Sequence, residues 1–415
     1  MTKEAILTDR RVVITGLGAI TPLGLTVEDY WEGLINGKSG IGEITLFDAS
    51  SFPTKIAGEV VNFEPTNYMH IKRADRTARC TQFAIAAAKM ATDSARLNMS
   101  QEKPERVGVV IASSGGVTLL VDEGEKLRKR GPMRVDPLLI SKMSASMVAA
   151  QVGLELGAKG PNSSLNSACA SGSDALGTAL NHIRLGHADV MIAGGAEMQV
   201  NPIAIASTGL VGALSRNPDP KKACRPFDLN RDGFVFGEGA GILILETYKH
   251  AQERGAAILA ELAGAGWSFD AYSETAPDAE QQAMAMKMAL QEAGISPEEV
   301  DYINAHGTGT KLNDAAETKA IKIVFGGNAY KIPISSNKSM IGHLACAAGA
   351  VEAIATVMTI QNGIIPPTIN YETPDPECDL DFVPNKARHQ PVNVCLSNSF
   401  GMGGQNCSLI IKRFL

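Results

Sequence analysis

The sequence predicts an α/β fold built from two similar halves. Short apolar runs rich in Val and Ile, such as RRVVITGLGAI and ADVMIAGGAE, are typical of buried strands. Several are followed by small-residue turns and long Ala-rich helices. This order occurs around Cys169 and again around His343, which indicates an internal duplication with His343 in the place of Cys169.

Length and composition are those of an ordinary globular enzyme. The chain has 415 residues, of which 45% are hydrophobic and 20% charged, with 41 glycines, so it can bury a sizeable core. Its net charge of −6 argues against a general nucleic-acid or membrane surface. No run of about 18 apolar residues appears, and the first residues leave no room for a signal peptide. We therefore expect a cytoplasmic protein.

The cysteines favour the same compartment. There are seven of them, an odd number, and none has CxxC or CxxH spacing. This pattern predicts free thiols in a reducing environment and no zinc site.

In the first half, the helix in LTVEDYWEGLINGKSG should begin after an N-cap at Thr26 and stop at Gly37. The segment IKRADRTARCTQFAIAAAKMATDSARL is predicted as one long helix with Lys72, Arg76 and Arg79 on one face. A second basic cluster, GEKLRKRGPMR, follows. Each of these charges is either ordinary solvated surface or part of a partner site.

Cys169 lies between a short strand and the helix of SSLNSACASGSDALGTALNHI. The N-terminus of a helix stabilises an anion, so we expect a lowered thiol pKa and a nucleophilic thiolate. The alternative is a small buried core cysteine, which is the usual place of a free thiol.

The second half is predicted to begin near residue 255, dividing the chain into residues 1–255 and 256–415. His306 follows the predicted strand DYINA and precedes a Gly/Thr turn, and the next helix should be capped by Asn313 or Asp314. A further strand, turn and helix carry Lys338 and His343. One lone histidine would usually be structural, but two beside Gly-containing turns, together with a cysteine, suggest a nucleophile with polar partners.

Five motifs resemble the β-ketoacyl-[acyl carrier protein] synthases of the elongating type. In chain order they are SACASGSDALG, RPFDLNRDGFVFGEGAG, NAHGTGT, NKSMIGHLACAAGAVEAI and NSFGMGGQN. The resemblance spans essentially the whole chain and is mainly to type II, with type I-like features such as the glycine-rich ASSGGV. It implies a thiolase-like fold, with duplicated αβαβα halves in a five-layered arrangement and the active site where they meet.

The resemblance implies a decarboxylative Claisen condensation in fatty acid elongation. Cys169 would accept an acyl group, which malonyl-[acyl carrier protein] would extend to a 3-oxoacyl product with loss of CO2. His306 and His343 would donate to the enolate, and Lys338 would orient His306. The backbone N–H groups of Cys169 and Met402 would form the oxyanion hole. No cofactor is implied.

The resemblance also assigns supporting residues. The phosphopantetheine arm and acyl group would contact Thr308, Thr310, Phe400 and Met402. Asp314 and Glu317 would support the residues that contact the substrate, or cap the helix, without contacting the substrate themselves. A structural monovalent cation occurs in some relatives at positions matching Asn304, Glu352, Ser397 and Asn398, and no catalytic metal is expected. Acidic acyl carrier protein would dock on Lys72, Arg76 and Arg134. The family is homodimeric.

Three alternatives stay open at this point. A ketosynthase for aromatic or polyene polyketides is favoured by a shortened segment at 114–117 and by Met402, where the family usually has Phe. A thiolase would use a second cysteine, Cys395 or Cys407. A non-catalytic partner subunit resembles the family but lacks the active cysteine, which is present here.

Overall fold

The structure, a computed structural model, describes residues 11–415 and confirms the α/β class. The strands are β1 (Val12–Ile20), β2 (Gly42–Glu43), β3 (Ile56–Ala57), β4 (Val107–Ala112), β5 (Asn162–Leu165), β6 (Val190–Met198), β7 (Glu238–Thr247), β8 (Ala260–Phe269), β9 (Tyr302–Asn304), β10 (Ile334–Ser335), β11 (Ile364–Ile365), β12 (Arg388–His389), β13 (Val394–Phe400) and β14 (Gln405–Lys412). The helices are α1 (Val27–Ile35), α2 (Ile71–Ala74), α3 (Arg79–Ser94), α4 (Leu119–Arg130), α5 (Leu139–Met143), α6 (Ser146–Leu156), α7 (Ser171–Arg184), α8 (Pro202–Val211), α9 (Pro220–Ala223), α10 (Tyr248–Glu253), α11 (Ala279–Ala293), α12 (Lys311–Phe325), α13 (Lys338–Ile341) and α14 (Ala348–Asn362). Within residues 11–415, no helix has the length and apolar character needed to cross a bilayer. The expectation about a signal peptide concerns residues 1–10, outside the described residues.

Ten strands form one sheet whose two halves follow the same plan. The order is β10-β9-β13-β14-β8-β1-β7-β6-β4-β5. Read from the centre outward, the first half has the order β1-β7-β6-β4-β5 and the second half has the order β8-β14-β13-β9-β10. If the five sheet strands of each half are numbered along the chain, both orders are first, fifth, fourth, second, third. In each half the two inner pairings are antiparallel and the two outer pairings parallel. Strands β1 and β8 join the halves through short antiparallel pairing at Val13 and Ile14. The predicted duplication is therefore present.

Two buried helices lie between the halves. Helix α7 contacts β4, β6 and β14, and α14 contacts β6, β7 and β13, so each touches strands of both halves. Their first turns approach closely because the residues there are small, and a Cβ on Gly172 would lie only 2.7 Å from the Ala350 nitrogen. On the outer faces, α3 covers β1 and β7, while α11 covers β8 and β14. The two halves of the ten-stranded sheet form two layers, with helices between them and on both outer faces. This gives the five layers, helix, sheet, helix, sheet and helix, that the resemblance implied.

The turns leading into α7 and α14 correspond to one another. Cys169 lies two residues before the first residue of α7, and Cys346 lies two residues before the first residue of α14. The preceding alanines share a left-handed backbone, with φ of 50° at Ala168 and 44° at Ala345. Cys346 therefore stands in the place of Cys169, and the prediction that His343 does so is wrong.

Local predictions in the first half have mixed outcomes. The Thr26 hydroxyl accepts the N–H of Asp29 at 3.0 Å, which confirms the predicted cap of α1. The single long basic helix is wrong, because α2 ends at Ala74 and α3 begins at Arg79. The Arg79 side chain after this break pairs with Glu238, a long-range contact that no local pattern shows.

Candidate active site

Cys169 lies on a tight turn between β5 and α7. The N–H of Ala170 donates to the Ser167 carbonyl at 3.1 Å, and the N–H of Ser171 donates to the Ala168 carbonyl at 3.2 Å. The Ser171 hydroxyl accepts the N–H of Ser167 at 2.8 Å. These bonds fix the turn and place the sulfur at the N-terminus of α7, where the sequence predicts it.

The Cys169 sulfur is half-buried and contacts two backbone N–H groups. They belong to Met402 and to Cys169 itself, and the charge of Lys338 also favours the thiolate. Burial has the larger effect, so the pKa of the Cys169 thiol is raised above its ordinary value. The expectation of a lowered pKa is therefore wrong. All seven cysteines lie within residues 11–415, and Cys169 is the one that is not fully buried.

His306 follows β9 and is held through its backbone. Glu317 on α12 accepts the N–H groups of His306 and Gly307, each at 2.8 Å. The Lys338 ammonium lies 3.4 Å from Nδ1 of His306. Because an ammonium group can only donate, Nδ1 is the acceptor, and the proton of the neutral ring is on Nε2.

His343 has the same tautomer through a different donor. The N–H of Ala345 donates to Nδ1 of His343 at 3.2 Å. The Nε2 atom of His343 is buried and has no hydrogen-bond partner among the described residues. Burial, followed by the charge of Lys338, lowers the pKa of both His306 and His343 well below the ordinary value. Both imidazoles are therefore neutral, with Nε2–H as the free donor.

The three residues predicted to act together lie in one place. The Cys169 sulfur and ring nitrogens of His306 and His343 lie within 4.8 Å of one another. The two imidazoles meet edge to face with centroids 5.3 Å apart, and the Phe400 ring lies 5.9 Å from that of His306. The charge of Lys338 disfavours a metal cation between these atoms. The arrangement instead presents a nucleophile to two neutral donors.

Lys338 is part of the interior. It is only 1% exposed and pairs with Glu352 on α14, which is also fully buried. A buried ion pair is held in one geometry, because moving either partner would leave the other charge unpaired in a low-dielectric interior. The ammonium is therefore fixed beside His306.

The predicted threonines lie on the turn between β9 and α12. The Thr308 and Thr310 hydroxyls are 2.9 Å apart. Thr310 also accepts the N–H of Asn313 and is the N-cap of α12, so the predicted cap at Asn313 or Asp314 is wrong. Asp314 instead accepts the N–H of Gly309 at 3.2 Å and braces the turn.

Met402 and Phe400 occupy different settings on the last loop. The Phe400 side chain is 5% exposed and packs against His306. The Met402 side chain is 66% exposed, while its backbone N–H contacts the Cys169 sulfur. Met402 therefore contributes its backbone to the site, while its side chain lies at the surface, so the predicted contact of Met402 with the substrate is limited to its backbone.

Three buried oxygens fit the predicted monovalent cation. Asn304 Oδ1, Glu352 Oε2 and Ser397 Oγ have no hydrogen-bond partner among the described residues. Asn304 and Ser397 are paired on the neighbouring strands β9 and β13. Oxygen donors of this kind suit a hard cation. Asn398 differs, since its side-chain amide donates to Glu317 at 3.1 Å and its oxygen accepts a hydroxyl. Its side-chain oxygen therefore already has one partner, unlike the other three oxygens.

The predicted docking residues are exposed but lie on three separate segments. Lys72 is in α2, Arg76 is in the break before α3, and Arg134 is in a short turn after α4. Arg79, expected on the same helix face, pairs with Glu238 at 2.6 Å. These three cations therefore do not share one continuous helix face, and docking on them stays a prediction.

The sequence-based reasoning missed Arg231. This side chain is 1% exposed, pairs with Asp375 and donates to the carbonyls of Thr310 at 3.3 Å and Lys311 at 3.2 Å. It holds the base of the turn between β9 and α12. A signal was available, because Arg231 lies between the apolar residues Phe227 and Phe234 of the Gly-containing RPFDLNRDGFVFGEG motif, and an arginine buried there requires partners.

Comparisons with known proteins agree with this geometry. Family models described as Beta-ketoacyl synthase, N-terminal domain and Beta-ketoacyl synthase, C-terminal domain match residues 9–251 and 259–372. The 3-oxoacyl-[acyl-carrier-protein] synthase 2 of Synechocystis sp. (strain ATCC 27184 / PCC 6803 / Kazusa) is 48% identical over 414 residues, which cover 99% of this chain and 100% of the relative.

Two solved structures extend the comparison. The ishigamide ketosynthase/chain length factor superposes with a TM-score of 0.92 at 39% identity, covering 98% of this chain and 100% of that one. The AntDE:AntF complex, a type II polyketide ketosynthase with its acyl-carrier protein, superposes with a TM-score of 0.91 at 38% identity and the same coverage. These matches confirm the resemblance predicted from the five motifs.

Proposed function

The chain belongs to the beta-ketoacyl synthase family, and we propose that it condenses a Cys169-bound acyl group with malonyl-[acyl carrier protein]. The products are 3-oxoacyl-[acyl carrier protein] and CO2, in fatty acid chain elongation. The observation that carries this proposal is the meeting of one sulfur with two neutral imidazoles, all within 4.8 Å. The thiolase-like fold brings the sulfur from the first half and both imidazoles from the second.

The first half-reaction is acyl transfer. The Cys169 thiol attacks the thioester carbonyl of an acyl carrier protein and gives its proton to the carrier sulfur, which leaves as a thiol as the new thioester forms. The oxyanion of the tetrahedral intermediate accepts hydrogen bonds from the N–H groups of Cys169 and Met402, which already contact the sulfur. Phe400 borders the same cleft, and Thr308 and Thr310 offer hydroxyls to the phosphopantetheine arm.

The second half-reaction begins with decarboxylation. As CO2 leaves the malonyl group, negative charge develops on its thioester oxygen, and the Nε2–H groups of His306 and His343 donate to it. Neutral rings suit this task, because two charged imidazoles 5.3 Å apart beside Lys338 would repel one another. The enolate carbon then attacks the acyl carbon, and the bond to the Cys169 sulfur breaks.

The partners follow from surface and edge features. Lys72, Arg76 and Arg134 are exposed cations that suit an acidic carrier protein, and the AntDE:AntF relative was solved with its acyl-carrier protein. Strand β5 ends the ten-stranded sheet, and none of its residues is fully buried. This open edge suits a second copy of the chain, which supports a homodimer.

Two further assignments complete the proposal. The functional division falls near residue 255, between halves 1–255 and 256–415, and the family matches end at residue 251 and resume at residue 259. The location is the cytoplasm, in agreement with seven free thiols.

One observation favours a second candidate, a polyketide ketosynthase. In the shortened ASSGGV segment, the Ser114 hydroxyl donates to the buried carboxylate of Glu197 at 2.7 Å. The family resemblance places this segment along the acyl chain, where a polar pair would accommodate oxygenated chains better than a purely apolar wall would. The AntDE:AntF relative described above is a polyketide enzyme by its name.

The proposal is tested with the full chain and carrier-bound substrates. We expect transfer of a saturated acyl group to Cys169 and its extension by malonyl-[acyl carrier protein]. Cys169→Ala should abolish transfer, and the His306→Ala and His343→Ala variants should transfer the acyl group without decarboxylation. Cys395→Ala, a control for the thiolase alternative, should stay active. Extension of polyketide chains without any extension of saturated ones would favour the second candidate.

A further inference from the structure

Asp174 connects the turn that carries Cys169 to a strand of the other half. It lies in the first turn of α7. Its Oδ2 accepts the Ser167 hydroxyl at 2.9 Å, and its Oδ1 accepts the indole N–H of Trp267 at 3.0 Å. The Thr178 hydroxyl is a weaker third contact at 3.5 Å. One carboxylate thus bonds two segments that are about a hundred positions apart in sequence.

The first arm of this link reaches the nucleophile. Ser167 lies two residues before Cys169, and a β-bridge joins the two residues. The Ser167 carbonyl accepts the N–H of Ala170, and its own N–H donates to Ser171. A fixed Ser167 therefore holds the turn that contains Cys169 and its N–H.

The second arm reaches the loop that carries Met402. Trp267 on β8 is paired with Cys407 on β14. Strand β14 is the return strand of the hairpin whose loop carries Met402. The indole can approach α7 because position 177 is glycine, where a Cβ would lie 2.5 Å from the Trp267 ring.

We propose that Asp174 is a positioning residue that sets the distance between the two N–H donors of the oxyanion hole. The inference rests on the proposed function. The two donors belong to separate segments, Cys169 on the turn into α7 and Met402 on the β13–β14 loop. Asp174 accepts a hydrogen bond from Ser167, beside the first donor, and from Trp267, whose strand pairs with the hairpin of the second. Each bond uses one of its two carboxylate oxygens. Its contribution belongs to acyl transfer, because decarboxylation depends on His306 and His343 instead.

The test uses Asp174→Asn in the full chain. Asparagine keeps the size but replaces one acceptor oxygen with a donor, so it cannot accept from both Ser167 and Trp267. We expect acyl transfer to Cys169 from a saturated acyl carrier protein to slow about tenfold. Release of CO2 from malonyl-[acyl carrier protein] should stay within about twofold of wild type. Trp267→Phe, which removes the other end of the link, should show the same split.

A spectroscopic measurement and a matched control accompany the rates. The chain has two tryptophans, so in a Trp31→Phe background only Trp267 emits. Asp174→Asn should shift this emission because the indole N–H loses its charged acceptor. Thr178→Val, on the same helix, removes only the 3.5 Å contact and should leave both half-reactions and the emission unchanged.

The outcomes separate the two proposals. Wild-type acyl-transfer rates in both Asp174→Asn and Trp267→Phe would overturn this inference. A parallel fall of both half-reactions with a lower melting temperature would also overturn it, because the role would then be merely structural. If the wild-type chain performs neither half-reaction, the proposed function itself fails.

Discussion

The Nζ atom of Lys338 lies 3.4 Å from Nδ1 of His306 while it also pairs with the carboxylate of Glu352. The ammonium therefore does two things. It assigns the His306 proton to Nε2, where a substrate oxygen can accept it, and its charge adds to burial, the larger effect, in lowering the pKa of both imidazoles. Glu352 holds it in place, since all three groups are buried.

Variants without the Lys338 ammonium should show that its effect on stability and its effect on decarboxylation can be measured separately. Lys338→Met leaves Glu352 buried without a partner, so we expect the free energy of unfolding to fall by about 3–5 kcal/mol and decarboxylation to be lost. In Lys338→Met/Glu352→Gln the unpaired charge is gone, so stability should largely recover while decarboxylation does not. Urea unfolding and CO2 release from malonyl-[acyl carrier protein] measure the two effects. A double variant with restored CO2 release would contradict the role of Lys338.

Met402 should act through its backbone alone. Met402→Ala keeps the N–H that contacts the Cys169 sulfur, and the side chain is 66% exposed, so acyl transfer should change little. Met402→Pro has no N–H, and we expect acyl transfer to slow by about 10²–10³-fold, as for the loss of an oxyanion donor elsewhere. Single-turnover acylation of Cys169 measures this difference. Equal rates for the two variants would show that the oxyanion uses another donor.

The site residues that lie in a recognisable local sequence pattern could be predicted. Cys169, His306 and His343 each lie beside small or glycine residues at the end of a strand, and such turns leave a side chain accessible to substrate. The raised pKa of the Cys169 thiol was not predictable in this way. It comes from burial by segments distant in sequence, whereas the helix-terminus argument considers only the local backbone.

Long-range contacts explain the other misses. Arg79 was expected on a continuous helix because its neighbours are good helix formers, yet its pairing with Glu238 accompanies a break in that helix. Asp174 reads in sequence as an ordinary acidic residue in the first turn of a helix, a favourable place for it. Only the fold shows that Trp267 reaches it from the other half.

Glu317 should make stability fall as the pH rises. Burial raises its pKa to about 7, although the N–H groups of Gly307 and His306 oppose this effect. The folded chain then keeps a proton between pH 4.5 and 7 that the unfolded chain has lost. The resulting stabilisation is complete below pH 4.5 and disappears as the pH rises through 7.

The glutamine in Glu317→Gln cannot titrate. The free energy of unfolding of this variant, relative to that of the wild type, should therefore rise by up to about 3 kcal/mol between pH 5 and pH 8. Denaturant unfolding at both pH values measures the change. A difference between the two proteins that is the same at pH 5 and pH 8 would contradict the raised pKa.

Charge reversal should weaken carrier-protein docking without affecting the nucleophile. Lys72→Glu/Arg76→Glu places two acidic groups where an acidic partner would approach, so we expect KM for acyl carrier protein to rise about tenfold or more at low salt. The difference from wild type should shrink as salt screens the charges. Alkylation of Cys169 by iodoacetamide should be unchanged. The matched control is Lys249→Glu, compared with Lys72→Glu alone because each changes the net charge equally; the Lys249 side chain is 83% exposed and lies on α10. If Lys249→Glu raises KM as much as Lys72→Glu does, the carrier protein responds to net charge and has no docking site at Lys72.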